Sequence, residues 1–548
     1  MKKLIVLLLI AFSIHYGQKR ETRAVWVATN FRLDWPPPVY DEIEQKIALD
    51  EIFKTIKEKN FNTVYFQVVI KGTALYDSKI LPFCPYISGF GETEHTYDPL
   101  AYAVSLAKIY GLEIHAWINT ARVFSGNEYE FLQLKKHITQ THNDWIVTSG
   151  KGSDTSYWLD FGIPEAREFM ISVAKEIAEN YDVDGIQFDF LRYPGRNFSD
   201  EKSFAEYGDT LSLFDWRRKN INSFIHNVYD TLKAVRKTIK VGVAPFGIYK
   251  NIDGAKGGES YSYVFQDSRK WLQNGWVDYV VPQIYWNIND NPRFDSLAYD
   301  WGRNSFERNV VLGVAAYKSD VKNEIKEIIE TSRKSGSKGV AMFRYSFIKD
   351  KNFNPFEKFV FPAEMPWIDS SKPLPPTNFV ATADGEFIHF SWHKSLSKVK
   401  YYSLYDVTFE PNIIALFPSD AVSTRMKILQ PKAIVNKFLL RSVNELWNES
   451  KPTKAVSIGI SKLMNLFDSK DLIPTKPFIF SSNGNNFLVI FNDKKSDEII
   501  NVNYGNASET LDLKRGINLI KLHANNFNSI EIYFPSSGEK IKLSRKFE

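Results

Sequence analysis

The run Asp184–Pro194 (DGIQFDFLRYP) carries the strongest chemical signal in the chain. Successive side chains of a strand point to opposite faces, so Ile186, Phe188 and Phe190 share one face while Gln187 and Asp189 share the other. An ionised aspartate is costly in an interior unless it is paired or functional, which makes Asp189, at the strand end, the leading candidate for acid/base chemistry. The same parity in Glu113–Asn119 aims His115, Trp117 and Asn119 one way, and in Thr63–Val69 it aims Tyr65 and Gln67 together. In Tyr279–Trp286 it aims Gln283 and Tyr285, with Trp286 and Asn287 following. Amides, an imidazole and phenols beside indoles suit a carbohydrate, whose hydroxyls need polar partners and whose C–H faces pack on rings. Trp117, Trp158 and Trp286 are the indoles expected to touch such a ligand. Other readings stand beside these. His115 reads equally as a hydrogen-bonded interior residue, Gln67, Gln187 and Gln283 as amides that satisfy one another, and Asp184 as a cap or turn residue.

These residues need a frame. Between residues 23 and 346, eight β-branched and aromatic runs alternate with helical stretches: Arg23–Thr29, Thr63–Val69, Glu113–Asn119, Gly185–Phe190, Val241–Phe246, Tyr279–Trp286, Val310–Ala315 and Gly339–Tyr345. Pro164–Tyr181 opens with a proline and Glu165, a sound helix start, and Asp320–Ser335 is a second predicted helix. Eight strands, each followed by a helix, predict an α/β protein with a (β/α)₈ TIM barrel over 21–367, whose chemistry sits at the C-terminal strand ends. Beyond the proline-rich Ser370–Thr377 the helical pattern is lost. The order Trp392, then Tyr401–Tyr405, then Phe438–Val443 predicts a fibronectin type III-like sandwich over 372–461, and 462–548 reads as a further small β domain.

Composition narrows the classes. The chain has 548 residues, 44% hydrophobic and 24% charged, which excludes a single small module and wholesale disorder. A net charge of +5 without a basic tract argues against nucleic acid as a partner. A single cysteine, Cys84, closes no intramolecular disulfide and reads as a buried thiol. Met1-Lys2-Lys3 followed by the apolar Leu4–Phe12 predicts a signal peptide over 1–17, cleaved after Gly17, and a periplasmic or extracellular protein with no membrane span.

Glu21–Thr29 (ETRAVWVAT), His115–Asn119 (HAWIN), Trp158–Pro164 (WLDFGIP), Asp184–Pro194, Ala244–Gly247 (APFG) and Pro282–Trp286 (PQIYW) together resemble the bacterial glycosyl-hydrolase-like family ten group, in the order that family shows. The resemblance covers the first two-thirds of the chain. It implies a secreted barrel that hydrolyses glycosidic bonds, with peptidoglycan glycan strands stripped of their peptides among the substrates to consider. By the same resemblance Arg122 matches a family position, although Asn119 is followed by Thr120-Ala121-Arg122 where the family carries proline and tyrosine before the arginine. Asp189-Phe190 stands where paired aspartates are frequent, so only Asp189 carries over.

Glycosidases use two carboxyl groups, an acid for the leaving oxygen and a nucleophile or base. Asp189 is assigned as one. Asp160, in the loop before the helix at Pro164, is the candidate for the other, while Asp34, Glu92, Glu94 and Asp290 read as solvated loop charges. Arg192 and Tyr193 are expected to orient Asp189 or bind a substrate oxygen, with Arg192 equally readable as its structural partner. No metal-ligand spacing, phosphate-cradling glycine run or nucleophile elbow occurs, so hydrolysis by carboxylates and water without a metal or cofactor is expected. The rival is a non-catalytic glycan-binding or cell-wall scaffold. A lyase or transferase on the same barrel is a third reading, distinguished by product mass.

Overall fold

The computed structural model describes residues 20–90, 95–384, 387–427 and 435–459, and within 477–544 all but 483–484, 493–496, 505–506, 514–515, 524–526 and 528. The signal peptide expected over 1–17 lies outside the described residues, as do Glu92 and Glu94. Two compact units emerge, one of residues 18–371 with 444–448 and one of 372–443 with 449–548.

The first unit is a parallel barrel. Its strands are β1 (Thr22–Val27), β2 (Thr63–Ile70), β3 (Glu113–Asn119), β4 (Gly185–Asp189), β5 (Lys240–Val243), β6 (Tyr279–Val280, resuming at Gln283–Ile284), β7 (Asn309–Val310, resuming at Leu312–Val314) and β8 (Gly339–Met342). Each pairs in parallel with the next, and β8 returns to β1 through Thr22↔Gly339, which closes the ring. The gap in β6 falls at Pro282, which has no N–H to donate to the ladder; its carbonyl still accepts from Gly313 at 2.9 Å. Helices Glu42–Glu58, Pro99–Tyr110, Pro164–Asn180, Leu213–Val235, Ser268–Gln273, Phe294–Arg303 and Ile325–Ser335 cross between strands, while β8 is followed only by the four-residue Tyr345–Ile348. The helix expected over Asp320–Ser335 is broken at Glu324, whose φ and ψ of −94° and 9° divide Ser319–Asn323 from Ile325–Ser335.

The barrel has two apolar layers. Ile114, Ala116, Ile118, Ile186 and Phe188 face outward onto the helices, as their parity requires. Ala24, Trp26, Tyr65, Trp117, Ala244, Tyr279, Val281, Val311 and Ala341 fill the interior. Large interior rings fit because small residues oppose them: a Cβ at Gly242 would stand 2.0 Å from the Tyr279 ring, and one at Gly185 would stand 2.5 Å from His115 Nδ1. The floor, at the N-terminal strand ends, holds a buried ion pair of Glu113 with Lys240, and His115 Nδ1 lies 2.7 Å from the Tyr279 hydroxyl. Asp184 takes its expected turn role there, accepting from the Ile114 amide at 3.0 Å. Cys84 is fully buried.

The second unit is all β among its described residues. Thr377–Asp384, Phe387–His393 and Ser423–Lys427 form a three-stranded antiparallel sheet, and Asn412–Pro418, Tyr401–Asp406, Val435–Val443 and Val456–Gly459 a four-stranded one. Their shared core includes Ile388, Phe390, Trp392, Tyr402, Leu404, Phe438 and Leu440. Seven further strands between Phe478 and Ser544 form another three-stranded and four-stranded pair around Leu488, Ile490, Ile500, Val502 and Ile532.

Candidate active site

Asp189 is the last residue of β4, level with Asn119 on β3, at the end of the barrel where catalytic groups of this fold gather. It is only 7% exposed. Its Oδ1 accepts from the Phe190 amide at 2.7 Å and from Gln283 Nε2 at 3.2 Å, so β6 reaches across the mouth to hold it. Burial pushes the carboxyl above its usual range, while the Phe190 N–H, Arg192, Arg122 and the Trp117 indole work in the opposite direction. A carboxyl kept nearer neutrality by burial is suited to donating a proton.

The chain leaves Asp189 through a left-handed residue, Phe190 at φ 52°, a conformation that costs a non-glycine side chain about 1 kcal/mol or more. That turn aims the following residues. The Arg192 guanidinium lies 5.0 Å from the Phe190 ring centre, 4.8 Å from that of Phe246 and 5.3 Å from that of Trp158. Arg122, entering from the strand Arg122–Ser125, lies 3.5 Å from the same Phe190 ring centre. Burial lowers both guanidiniums to about 10, so both remain charged at neutral pH, and Asp189 opposes the shift in each.

An aromatic wall completes the mouth. Tyr285 stacks on Phe343 at 5.7 Å and meets Tyr317 edge-on at 6.1 Å, and Trp26 and Trp117 approach Phe343 at 5.9 and 6.4 Å. Tyr285 lies near enough to Asp189 for the carboxylate to reinforce burial in raising its phenol well above its ordinary range. Phe343 and Tyr317 were not among the residues selected from sequence. Phe343 had a signal, since it shares parity with Ala341, which lies in the barrel interior.

The structure separates the remaining candidates by depth. Gln67 accepts from the amides of Thr29 and Asn30 and donates to Asn119 at 3.1 Å, so both are tied just below the mouth. Gln187 accepts from the Trp26 indole at 2.6 Å. The expectation that Gln67, Gln187 and Gln283 satisfy one another is therefore corrected: each serves a different partner. His115 belongs to the floor, 2% exposed and bonded to Tyr279, and not to a ligand surface. Trp158, 3% exposed, is buried in the outer core beside Phe190 at 6.2 Å and not on an open ligand surface, and Trp286 is partly buried against the same core.

Three further corrections concern polar groups beneath the loops. Tyr193 turns away from Asp189, is 2% exposed, accepts from Asn220 Nδ2 at 3.2 Å and packs on Phe198 and Phe265. Asp160 accepts from the Ser203 hydroxyl and from the Gly162 amide at 2.8 Å, beside Arg217 and Asp200. It shares none of the partners of Asp189. Burial raises it to about 6. Asp34, read as a solvated loop charge, has a fully buried side chain: it pairs with Arg344 at 2.5 Å and accepts from the amides of Ala28 and Ser346, clamping the loops after β1 and β8. Asp290 is exposed.

Comparison with known proteins adds an independent line. The family described as Glycosyl hydrolase-like 10 matches residues 21–347, which span the whole ring from β1 to β8. "Glycosyl hydrolase YngK" of Bacillus subtilis (strain 168) is 29% identical over 491 residues, covering 81% of this chain and 95% of that protein. "Glycosyl hydrolase DigH" of Escherichia coli (strain K12) is 33% identical over 325 residues, covering 54% of this chain and 73% of that protein.

Proposed function

The chain belongs to the glycosyl hydrolase-like 10 family and is a glycosidase, and from that premise we propose that it is a secreted enzyme cleaving the glycan strands of peptidoglycan after their peptides have been removed. The observation that carries the reading is the buried carboxyl of Asp189 at the C-terminal end of β4, held by Gln283 and the Phe190 amide and faced by Tyr285, which stacks on Phe343. In this reading Asp189 donates the proton to the leaving glycosidic oxygen and water completes the hydrolysis. The rings accept the C–H faces of the sugars. Gln283 and the Phe190 amide keep the acid oriented. Asp160 serves as a buried anchor for the loop before the helix at Pro164.

Residues 372–461 are read as a fibronectin type III module, supported by the three-plus-four sheets and by Trp392 packed on Tyr402 at 5.7 Å. It is assigned a spacer role. Secretion rests on the leader in residues 1–17.

The test is incubation of the mature protein with intact peptidoglycan, peptide-free strands and neutral polysaccharides, followed by mass analysis. Shortened peptide-free glycans, each cleavage adding one water, are expected. Retention of the protein on a polymer without any product would favour the scaffold reading.

A further inference from the structure

Two hydrogen-bond donors inside the barrel lack acceptors. Trp117 and Gln187 are 3% and 0% exposed, and Trp117 Nε1 and Gln187 Nε2 are both buried without a partner. They are neighbours, because Trp117 on β3 stands in register with Gln187 on β4; the next inward-facing pair toward the mouth is Asn119 with Asp189. The Gln187 amide cannot escape by exchanging its ends, since its Oε1 accepts from the Trp26 indole, which only donates. His115 Nε2, one layer below, is also unbonded but has a Glu113 carboxylate oxygen at 3.5 Å. An unsatisfied buried donor costs stability, and two side by side call for an acceptor that arrives at another stage of the reaction. Asp189 offers one. The Phe190 amide and Gln283 Nε2 both end on its Oδ1, and among the described residues no donor ends on Oδ2. An oxygen that accepts two N–H groups is the carbonyl oxygen of a protonated carboxyl, which places the proton on the other. Once that proton leaves, Oδ2 carries charge and bonds strongly to a donor in reach. The Trp117 indole already counts among the groups that favour the ionised carboxyl.

We infer that the transferable proton of Asp189 sits on Oδ2 and that Trp117 and Gln187 are positioning residues, whose N–H groups bond to Oδ2 as the proton passes to the leaving oxygen. In that step the Oδ2–H bond breaks and leaves its electron pair on Oδ2, and the proton joins the glycosidic oxygen. The glycosidic C–O bond breaks with its pair going to the departing hydroxyl, while water supplies the new bond at the sugar carbon. Because the two bonds are absent from the resting acid and form as charge develops, they speed the chemical step and leave substrate binding alone. This rests on the reading of Asp189 as the acid. Arg122 and Arg192, which follow β3 and β4, and the Tyr285 phenol after β6 also face the carboxyl and stay in place in every variant below.

The experiment titrates the full mature protein by NMR, with carbon-13 in the aspartate carboxyls and nitrogen-15 in the indoles; the Asp189 resonance is the one lost in Asp189→Asn. In the unaltered protein one indole N–H resonance, absent from Trp117→Phe, is expected to move downfield with the midpoint of Asp189, a readout that needs no variant to fold. Trp117→Phe and Gln187→Leu are each expected to raise that midpoint by about one pH unit, as loss of a donor to a buried carboxylate does. Tyr65→Phe, which removes a hydroxyl from the layer of His115, is expected to leave it in place. On the cleaved polymer the two donor variants are expected to lower kcat about ten- to a hundredfold with KM changed by less than about twofold. An indole resonance that ignores the titration, or an Asp189 midpoint unmoved in both donor variants, overturns the inference while leaving the glycosidase reading intact. A moved midpoint with Asp189→Asn still fully active keeps the two donors on the ionised carboxyl and overturns Asp189 as the acid, and with it the transfer step.

Discussion

Asp189 and Asp160 show how one residue type takes two roles according to what surrounds it. Both are buried acids raised by desolvation, but Asp189 faces the mouth with two guanidiniums nearby, and Asp160 faces Ser203. Arg122 lowers the Asp189 carboxyl, so removing its charge lets the carboxyl rise. A general acid works while protonated, and the alkaline limb of kcat/KM is therefore expected to move to higher pH in Arg122→Gln; an unmoved limb in a pH profile would count against Asp189 as the acid. For Asp160 the sign runs the other way from a salt-bridged acid. Its folded value of about 6 exceeds that of an ordinary aspartate, so the folded state holds the proton more tightly and stability falls as pH rises through that interval. Asp160→Asn is thus expected to gain on the order of 2–3 kcal/mol at pH 7 and almost nothing below pH 4, read by urea unfolding at both, with hydrolysis retained. What was legible here was parity: Asp189, Gln187, Trp117 and Asn119 all face inward as their spacing requires. Depth along the barrel axis was not, because His115 and Asn119 have the same parity but lie four residues apart along a seven-residue strand. The left-handed turn at Phe190, which carries Tyr193 away from Asp189, leaves no mark in periodicity either.

At the scale of elements, the closed ring depends on pairing large and small interior residues across strands. Gly242 on β5 gives up its side chain so that Tyr279 on β6 can cross the barrel and reach His115. Gly242→Ala is expected to cost about 1–3 kcal/mol in thermal or urea unfolding, because a tightly packed interior absorbs an added methyl only by displacing its neighbours. A neutral effect would show that the ring moves freely. The strand Glu113–Asn119 was legible to the residue, since seven alternating residues bounded by a turn admit little else. The sixth and seventh strands were legible as single runs, whereas β6 is interrupted at Pro282 and the helix over Asp320–Ser335 is cut at Glu324. Such breaks depend on which backbone groups find partners in three dimensions, which a pattern of residue types does not record.

At the scale of the whole molecule, the barrel and the change to all-β structure beyond the proline-rich segment were legible from alternation alone, while the aromatic wall of Phe343 and Tyr317 assembles only when β6, β7 and β8 come together. The proposed export is checked by cell fractionation with mass analysis of the intact chain. The expected protein begins at Gln18 and is found outside the cytoplasm; full-length protein confined to the cytoplasm would contradict it. The central claim is hydrolysis of a glycan by the acid at the end of β4, and the most direct test is product mass spectrometry on peptide-free peptidoglycan strands with the unaltered protein and Asp189→Asn side by side. Shortened strands gaining one water from the unaltered protein, at least about a hundredfold suppressed in a variant that still binds the strand, is the predicted result. Equal product from both proteins would contradict the account.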